Sequence, residues 1–229
     1  MDRFAAFKWQ ALFRDWHILL EGLGRTASTA GLALLLSLAL GVVFGVLATS
    51  PWRSGRAVSR LYVSLIQNTP LVTQVFFLYY ALPHFDLVLP TPAVGVLGLG
   101  VYHGAYISEV VRAGIQAIHR GQLEAALSQG FTYVQAMRYV ILPQAGQIVL
   151  PPMTNQAVAL IKNSSILAMI SGGDLMFQAD SWSASTGYYG PAYLTVWAIY
   201  FAICFPLAQL ARRWEERVRL SRGGEVSAA

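Results

Sequence analysis

One run, Thr26–Thr49 (TASTAGLALLLSLALGVVFGVLAT), constrains this chain most: 24 residues without a charged side chain. At 1.5 Å rise per residue a helix of that length crosses a hydrocarbon core of ~30 Å with some tilt. Lipid offers the backbone no hydrogen-bond partners, so such a run must satisfy its own N–H and C=O groups as a helix. Comparable runs recur along the chain. Hydrophobic residues make up 55% and charged residues 12%, with a mean hydropathy of +0.50, against about 25% charged in soluble chains. The expected fold is all-α: a polytopic membrane protein with five transmembrane helices, at about 26–49, 61–82, 93–111, 144–170 and 192–210.

Charge sets the expected orientation. Arg53, Arg56 and Arg60 follow the first run with no acid among them, and Arg212, Arg213, Arg217, Arg219 and Arg222 follow the last. The segments 83–92 and 172–191 hold Asp86, Asp174 and Asp180 and no Lys or Arg. Basic loops face the cytoplasm, which puts the N-terminus outside and the C-terminal tail, 212–229, inside. The net charge of +5 is accounted for by these loops and implies no nucleic-acid partner. Residues 1–25 lack the apolar core of a signal peptide. Trp9, Phe13, Trp16 and Leu20 form a helical stripe opposite Lys8, Arg14 and Glu21, which predicts an extracytoplasmic segment lying in the interface. Gly41 and Gly45 form a GxxxG pair that admits a close helix neighbour. Cys204 is the single cysteine, and the scattered histidines give no metal-ligand spacing, so neither a disulfide framework nor a metal site is expected.

The stretch 120–143 differs from the rest. Gln122–Ser128 reads as a short helix with Ala125, Ala126 and Leu127 beside Glu124. Gly130 breaks it, because glycine takes positive φ freely. Phe131–Val140 reads as a second helix, with Val134, Met137 and Ile141 on one face, stopped by Pro143. Glu124-Ala125-Ala126, then Gly130, Val140 and Leu142-Pro143, reproduce the spacing of the EAA loop of ABC-importer permease subunits. The segments QNTPLVTQVFFLYYALP (67–83), YISEVVRAGIQAI (106–118), RYVILPQA (138–145) and LIKNSSILAMI (160–170) resemble the polar amino acid branch of that family. The similarity runs from about Glu21 to Arg217.

The resemblance implies a type I importer-like permease in a bacterial cytoplasmic (inner) membrane. Its implied partners are two ABC ATPase subunits, a second permease subunit, identical or paralogous, and an extracytoplasmic amino-acid-binding protein. ATP and Mg would sit on the ATPase, with no cofactor on this chain. Glu124, Ala125, Ala126, Gly130, Leu142 and Pro143 would couple the membrane helices to the ATPase. The residues themselves agree with a non-catalytic role: no GxxxxGK[ST] loop is present, and the only lysines are Lys8 and Lys162.

Polar residues within the expected spans are the candidate substrate path: Gln67, Asn68 and Thr69 beside Pro70, and Asn155, Gln156, Lys162, Asn163, Ser164 and Ser165. Lys162 is expected roughly 13–18 Å from either end of its helix, where a charge costs about 3 kcal/mol unless it faces a partner or a cavity. The fourth expected span, with a lysine and amides but no carboxylate, favours glutamate, aspartate or glutamine over basic amino acids. A rival reading is an ion- or proton-coupled transporter or channel using Lys162, His103 and Glu109. Against it, no internal repeat is evident. Glu109 and Arg112, three apart on one helix, predict an ion pair, and His103 has a packing role as its plainer reading.

Overall fold

The computed structural model describes residues 5–226, with side chains through 216. The side chains of Arg217, Arg219 and Arg222 therefore lie outside the described residues. Among those described, every regular element is helical. In chain order these are α1 (Ala6–Arg14), α2 (Trp16–Thr49), α3 (Arg53–Gln67), α4 (Leu71–Phe76), α5 (Thr91–Gln116), α6 (Arg120–Ser128), α7 (Tyr133–Ala136), α8 (Leu142–Asn163), α9 (Leu175–Thr186) and α10 (Tyr189–Val226). Wide π-turns occupy Phe77–Ala81 and Met137–Ile141, and 3-10 turns occupy Leu82–Phe85 and Ser164–Ile170.

Among the described residues, three helices are long and apolar enough to cross a membrane: Trp16–Thr49, Thr91–Gln116 and the Tyr189–Glu216 part of α10. A fourth is reached if α3 and the segment Leu71–Phe85 count as one broken span. The break falls at Asn68-Thr69-Pro70, where proline has no N–H to continue the helix. α3 starts at Arg53, so Arg53, Arg56 and Arg60 are helical rather than in a loop. Arg56 Nη1 donates to the carbonyls of Ser50 and Pro51 at 2.7 and 2.8 Å, tying the turn before α3.

The chain folds as two compact units. One comprises Met1–Leu36, Thr69–Val101 and Val158–Pro206; the other comprises Ser37–Asn68, Tyr102–Ala157 and Leu207–Ala229. In the first, Leu12, Leu19, Leu175, Ala179, Trp182, Ala192 and Val196 form the core. The N-terminal stripe divides here: Trp9 and Trp16 pack against that core, while Phe13 and Leu20 stay exposed. Residues 172–191, expected as a loop, contain α9. Asp174 caps its start by accepting from the Met176 N–H, and Gly187, at φ +76°, closes its end.

In the second unit the core is Ile107, Val111, Ile115, Met137, Ile141, Ala145 and Val149. Lipid tails are as apolar as leucine, so helices there associate through close packing rather than burial from water. The glycines supply it. A Cβ on Gly41 would fall on Ile107, one on Gly45 on Val111, and one on Gly114 on Val149.

Candidate functional site

The segment 120–143 lies in the second unit and is built by two local motifs. His119 starts α6, its Nδ1 accepting from the Gly121 N–H at 3.1 Å. The helix ends in a Schellman motif: the Phe131 N–H bonds the Ala126 carbonyl at 3.2 Å, and the Gly130 N–H bonds Leu127 at 3.0 Å. Gly130 has φ +89°, with open space where a Cβ would stand. Thr132 and Gln135 then form a capping box for α7, each side chain accepting from the other's backbone N–H.

Pro143 does not stop the second helix. It stands at the second position of α8, directly after the π-turn Met137–Ile141. In an unbroken α-helix the proline ring would meet the carbonyl four residues earlier and leave it without a donor. The wider turn relieves that conflict, and Gln144 Nε2 bonds the Val140 carbonyl at 2.9 Å.

The side chains sort by face. Glu124, Ala125 and Leu127 are exposed, whereas Ala126 is buried, so the expected three-residue apolar surface is only Ala125 and Leu127. Met137 and Ile141 are core, but Val134 is 62% exposed, with Phe131 and Tyr139 also exposed beside it. Leu142 is half-buried and Pro143 exposed. The Tyr133 hydroxyl bonds the Thr49 carbonyl at 3.3 Å, tying α7 to the end of α2. Thr49, Ser50, Arg56, Ile115, His119, Leu123 and Tyr133 are among the walls of a cleft of about 660 Å³ beside α6. The result is a short helix fixed at both ends, presenting an acid, a small residue and exposed apolar side chains outward.

The polar candidates fall in both units. In the second, Gln67 Nε2 donates to the Ala105 carbonyl at 3.3 Å, and Asn68 Nδ2 donates to Ser64 at 2.7 Å. Gln156 Oε1 lies 3.2 Å from His103 Nδ1, and His103 is buried. Asn155 is exposed. Glu109 and Arg112 make the expected pair, with Nη2 to Oε2 at 2.6 Å. In the first unit, Thr69 Oγ1 accepts from Gln74 Nε2 at 2.8 Å. Lys162 is exposed and stands in the last turn of α8, not at mid-helix, because the chain tightens into the 3-10 turn at Ser164. Asn163 is half-buried. Ser164 and Ser165 donate to the carbonyls of Ile161 and Lys162 at 2.7 and 2.8 Å, which turns both hydroxyls back onto their own helix.

Two groups lie outside the motifs read from the sequence. Trp182 donates to Asp15 across the first unit, a contact with no local signal. Asp174 does carry one, a helix-capping residue with a glycine thirteen positions on.

A family model described as a binding-protein-dependent transport system inner membrane component matches residues 41–220. The chain is 40% identical over 210 residues to a probable glutamine ABC transporter permease protein, GlnM, of Bacillus subtilis (strain 168), spanning 92% of this chain and 97% of that one. It is 32% identical over 216 residues to the glutamine transport system permease protein GlnP of Escherichia coli (strain K12), spanning 93% and 99%. Among solved structures, it is similar to a chain described under "Crystal structure of an amino acid ABC transporter with histidines". That match has 33% identity and a TM-score of 0.83, and covers 91% of this chain and 98% of that one.

Proposed function

The chain belongs to the binding-protein-dependent transport system inner membrane components, and from that membership we propose that it couples ATP hydrolysis on a partner chain to amino acid import through α6. It is an amino acid ABC importer permease subunit with an all-α membrane fold. In our reading two permease subunits stand on two ATPases and are loaded by an extracytoplasmic binding protein. Five spans place the N-terminus outside, the C-terminus inside and 120–143 in the cytoplasm.

The observation that carries the coupling role is the fixed presentation of α6. The Schellman glycine and the capping box set its ends, so a push on Glu124, Ala125 and Leu127 is delivered to the π-turn and α8 rather than lost in a loop. ATP-driven closure of the ATPases would draw α6 inward and open the spans outward, and hydrolysis would reset them. Purification of the tagged chain in mild detergent tests this. An ATPase should co-purify, and Glu124→Lys should release it while leaving the permease folded. Retention of full ATPase stimulation in Glu124→Lys would remove α6 from the coupling path.

For substrate, glutamate, aspartate or glutamine is favoured by the stretch 155–165, which offers Lys162 and amides but no carboxylate. Two relatives are named for glutamine, whereas the solved amino acid transporter is described with histidines. Uptake into proteoliposomes by the assembled importer decides between them. Glutamine or an acidic amino acid should compete best, and preferred uptake of arginine or lysine would overturn the assignment.

A further inference from the structure

Along α10, Tyr189, Tyr193, Trp197, Phe201 and Phe205 recur every fourth residue. Tyr189 and Tyr193 stack at 6.4 Å, Trp197 and Phe201 at 5.6 Å, and Phe201 and Phe205 at 5.0 Å, all within 20° of parallel. Trp197 is 66% exposed and Phe201 52%. The ridge spans roughly 24 Å of helix, more than the ~15 Å half-thickness of a hydrocarbon core. At its Tyr189 end a mainly apolar cleft of about 680 Å³ is lined by Lys8, Tyr188, Tyr193, Leu194 and Trp197.

Lys8, on the wall of this cleft, and Asp180, bonded to the wall residue Tyr193, differ in sign. Lys8 Nζ stands 5.6 Å from the Tyr188 ring centre. The Asp180 carboxylate is held at that end by the Tyr193 hydroxyl at 2.6 Å. A cation and an anion at one end of an aromatic row on a helix long and apolar enough to cross a membrane complement a headgroup that carries both a phosphate and an amine. We propose that this groove is a binding site for a zwitterionic aminophospholipid: phosphate toward Lys8, ammonium toward Asp180, and one acyl chain along Trp197, Phe201 and Phe205. A purely anionic headgroup would meet the Asp180 carboxylate unfavourably.

The test uses the assembled importer, exchanged into mixed micelles with equal phosphatidylethanolamine and phosphatidylglycerol and analysed by native mass spectrometry. Phosphatidylethanolamine should be retained on each chain, and Lys8→Glu should lower retention about tenfold, the loss expected for one charge-assisted contact. Trp197→Ala, at an exposed position that leaves the core intact, should lower it as well, and serves if Lys8→Glu fails to assemble. Equal retention of both lipids that neither variant changes would mean ordinary boundary lipid and overturn the site, as would a preference for phosphatidylglycerol. Disulfide-linked dimers of Trp197→Cys in a Cys204→Ser background would also overturn it, by showing a second copy on this ridge.

Discussion

Trp182 donates its indole N–H to the Asp15 carboxylate at 2.9 Å, joining residues 167 positions apart. Asp15 stands at the break between α1 and α2, and Trp182 lies in the core that α9 builds with Leu12 and Leu19. The bond fastens the break between α1 and α2 to α9, beside the apolar contacts they share. It also holds the Asp15 carboxyl below its usual value of 3.8, aided by Arg14 and opposed by desolvation.

Trp182→Phe keeps the aromatic packing and removes the donor. A carboxyl with a lowered folded value contributes stability that is present above its unfolded value and lost as pH falls through the folded one. The variant should melt a few degrees below the parent at neutral pH, and the difference should shrink as pH falls below the usual carboxylate value. Asp15→Asn in the Trp182→Phe background should add little, a coupling that a double-mutant cycle on the purified complex measures.

Asp174 should behave with the opposite sign. Its Oδ2 caps α9 at 3.1 Å from the Met176 nitrogen, while Oδ1 is buried with no hydrogen-bond partner among the described residues. Burial pushes its carboxyl up to about 6 from the usual 3.8, against the opposing backbone donors. Its contribution to stability is therefore fully present below the unfolded value and lost as pH rises through the folded one, a change of about 3 kcal/mol in full. The complex should melt higher at about pH 5 than at about pH 7. Asp174→Asn, which can still cap the helix, should flatten that step. An unchanged step in the variant would assign it to another group.

Much of this architecture is legible in the sequence because membrane insertion leaves few options. A run of 24 uncharged residues must be helical, and Gly130 ahead of a capping residue marks a turn wherever it occurs. The differences share a cause: local rules fail where a neighbouring element decides. Pro143 should end a helix, but the π-turn before it absorbs the conflict. Residues 172–191 read as a loop from their acids and lack of Lys or Arg, but Asp174, Thr26 and the N-terminal leucines give that segment a core and a cap. The Thr26 hydroxyl accepts the Leu175 N–H at 2.9 Å, a bond spanning 149 positions that no sequence window contains. The mid-helix position expected for Lys162 assumes a continuous helix, and the change to a 3-10 turn at Ser164 puts it at the end of α8.

Gly130 separates backbone strain from contact. Nothing lies within 4 Å of where a methyl would stand there, so an added Cβ acts through φ +89° rather than through a clash. Asn tolerates this region and β-branched residues do not. Gly130→Asn should retain most ATPase co-purification, whereas Gly130→Val should lose it, with a cost at the turn of about 1–2 kcal/mol. Equal behaviour of the two variants would mean that the angle between α6 and α7 does not matter for coupling.

Gly41 makes the converse case, because contact decides and conformation does not. A methyl there would overlap the Ile107 side chain, with its Cβ at 2.6 Å, whereas a methyl on Gly31 of the same helix meets nothing within 4 Å. Overpacking a close helix pair costs about 1–3 kcal/mol. Gly41→Ala should therefore lower the melting temperature of the complex, while Gly31→Ala should leave it unchanged or raise it through better helix propensity. Adding Ile107→Ala to Gly41→Ala should cost less than the sum of the single changes, since the incoming methyl then occupies the space the isoleucine leaves. Strict additivity would show that α2 and α5 can slide apart at no cost, and that the close approach at Gly41 and Gly45 is not what holds the second unit together.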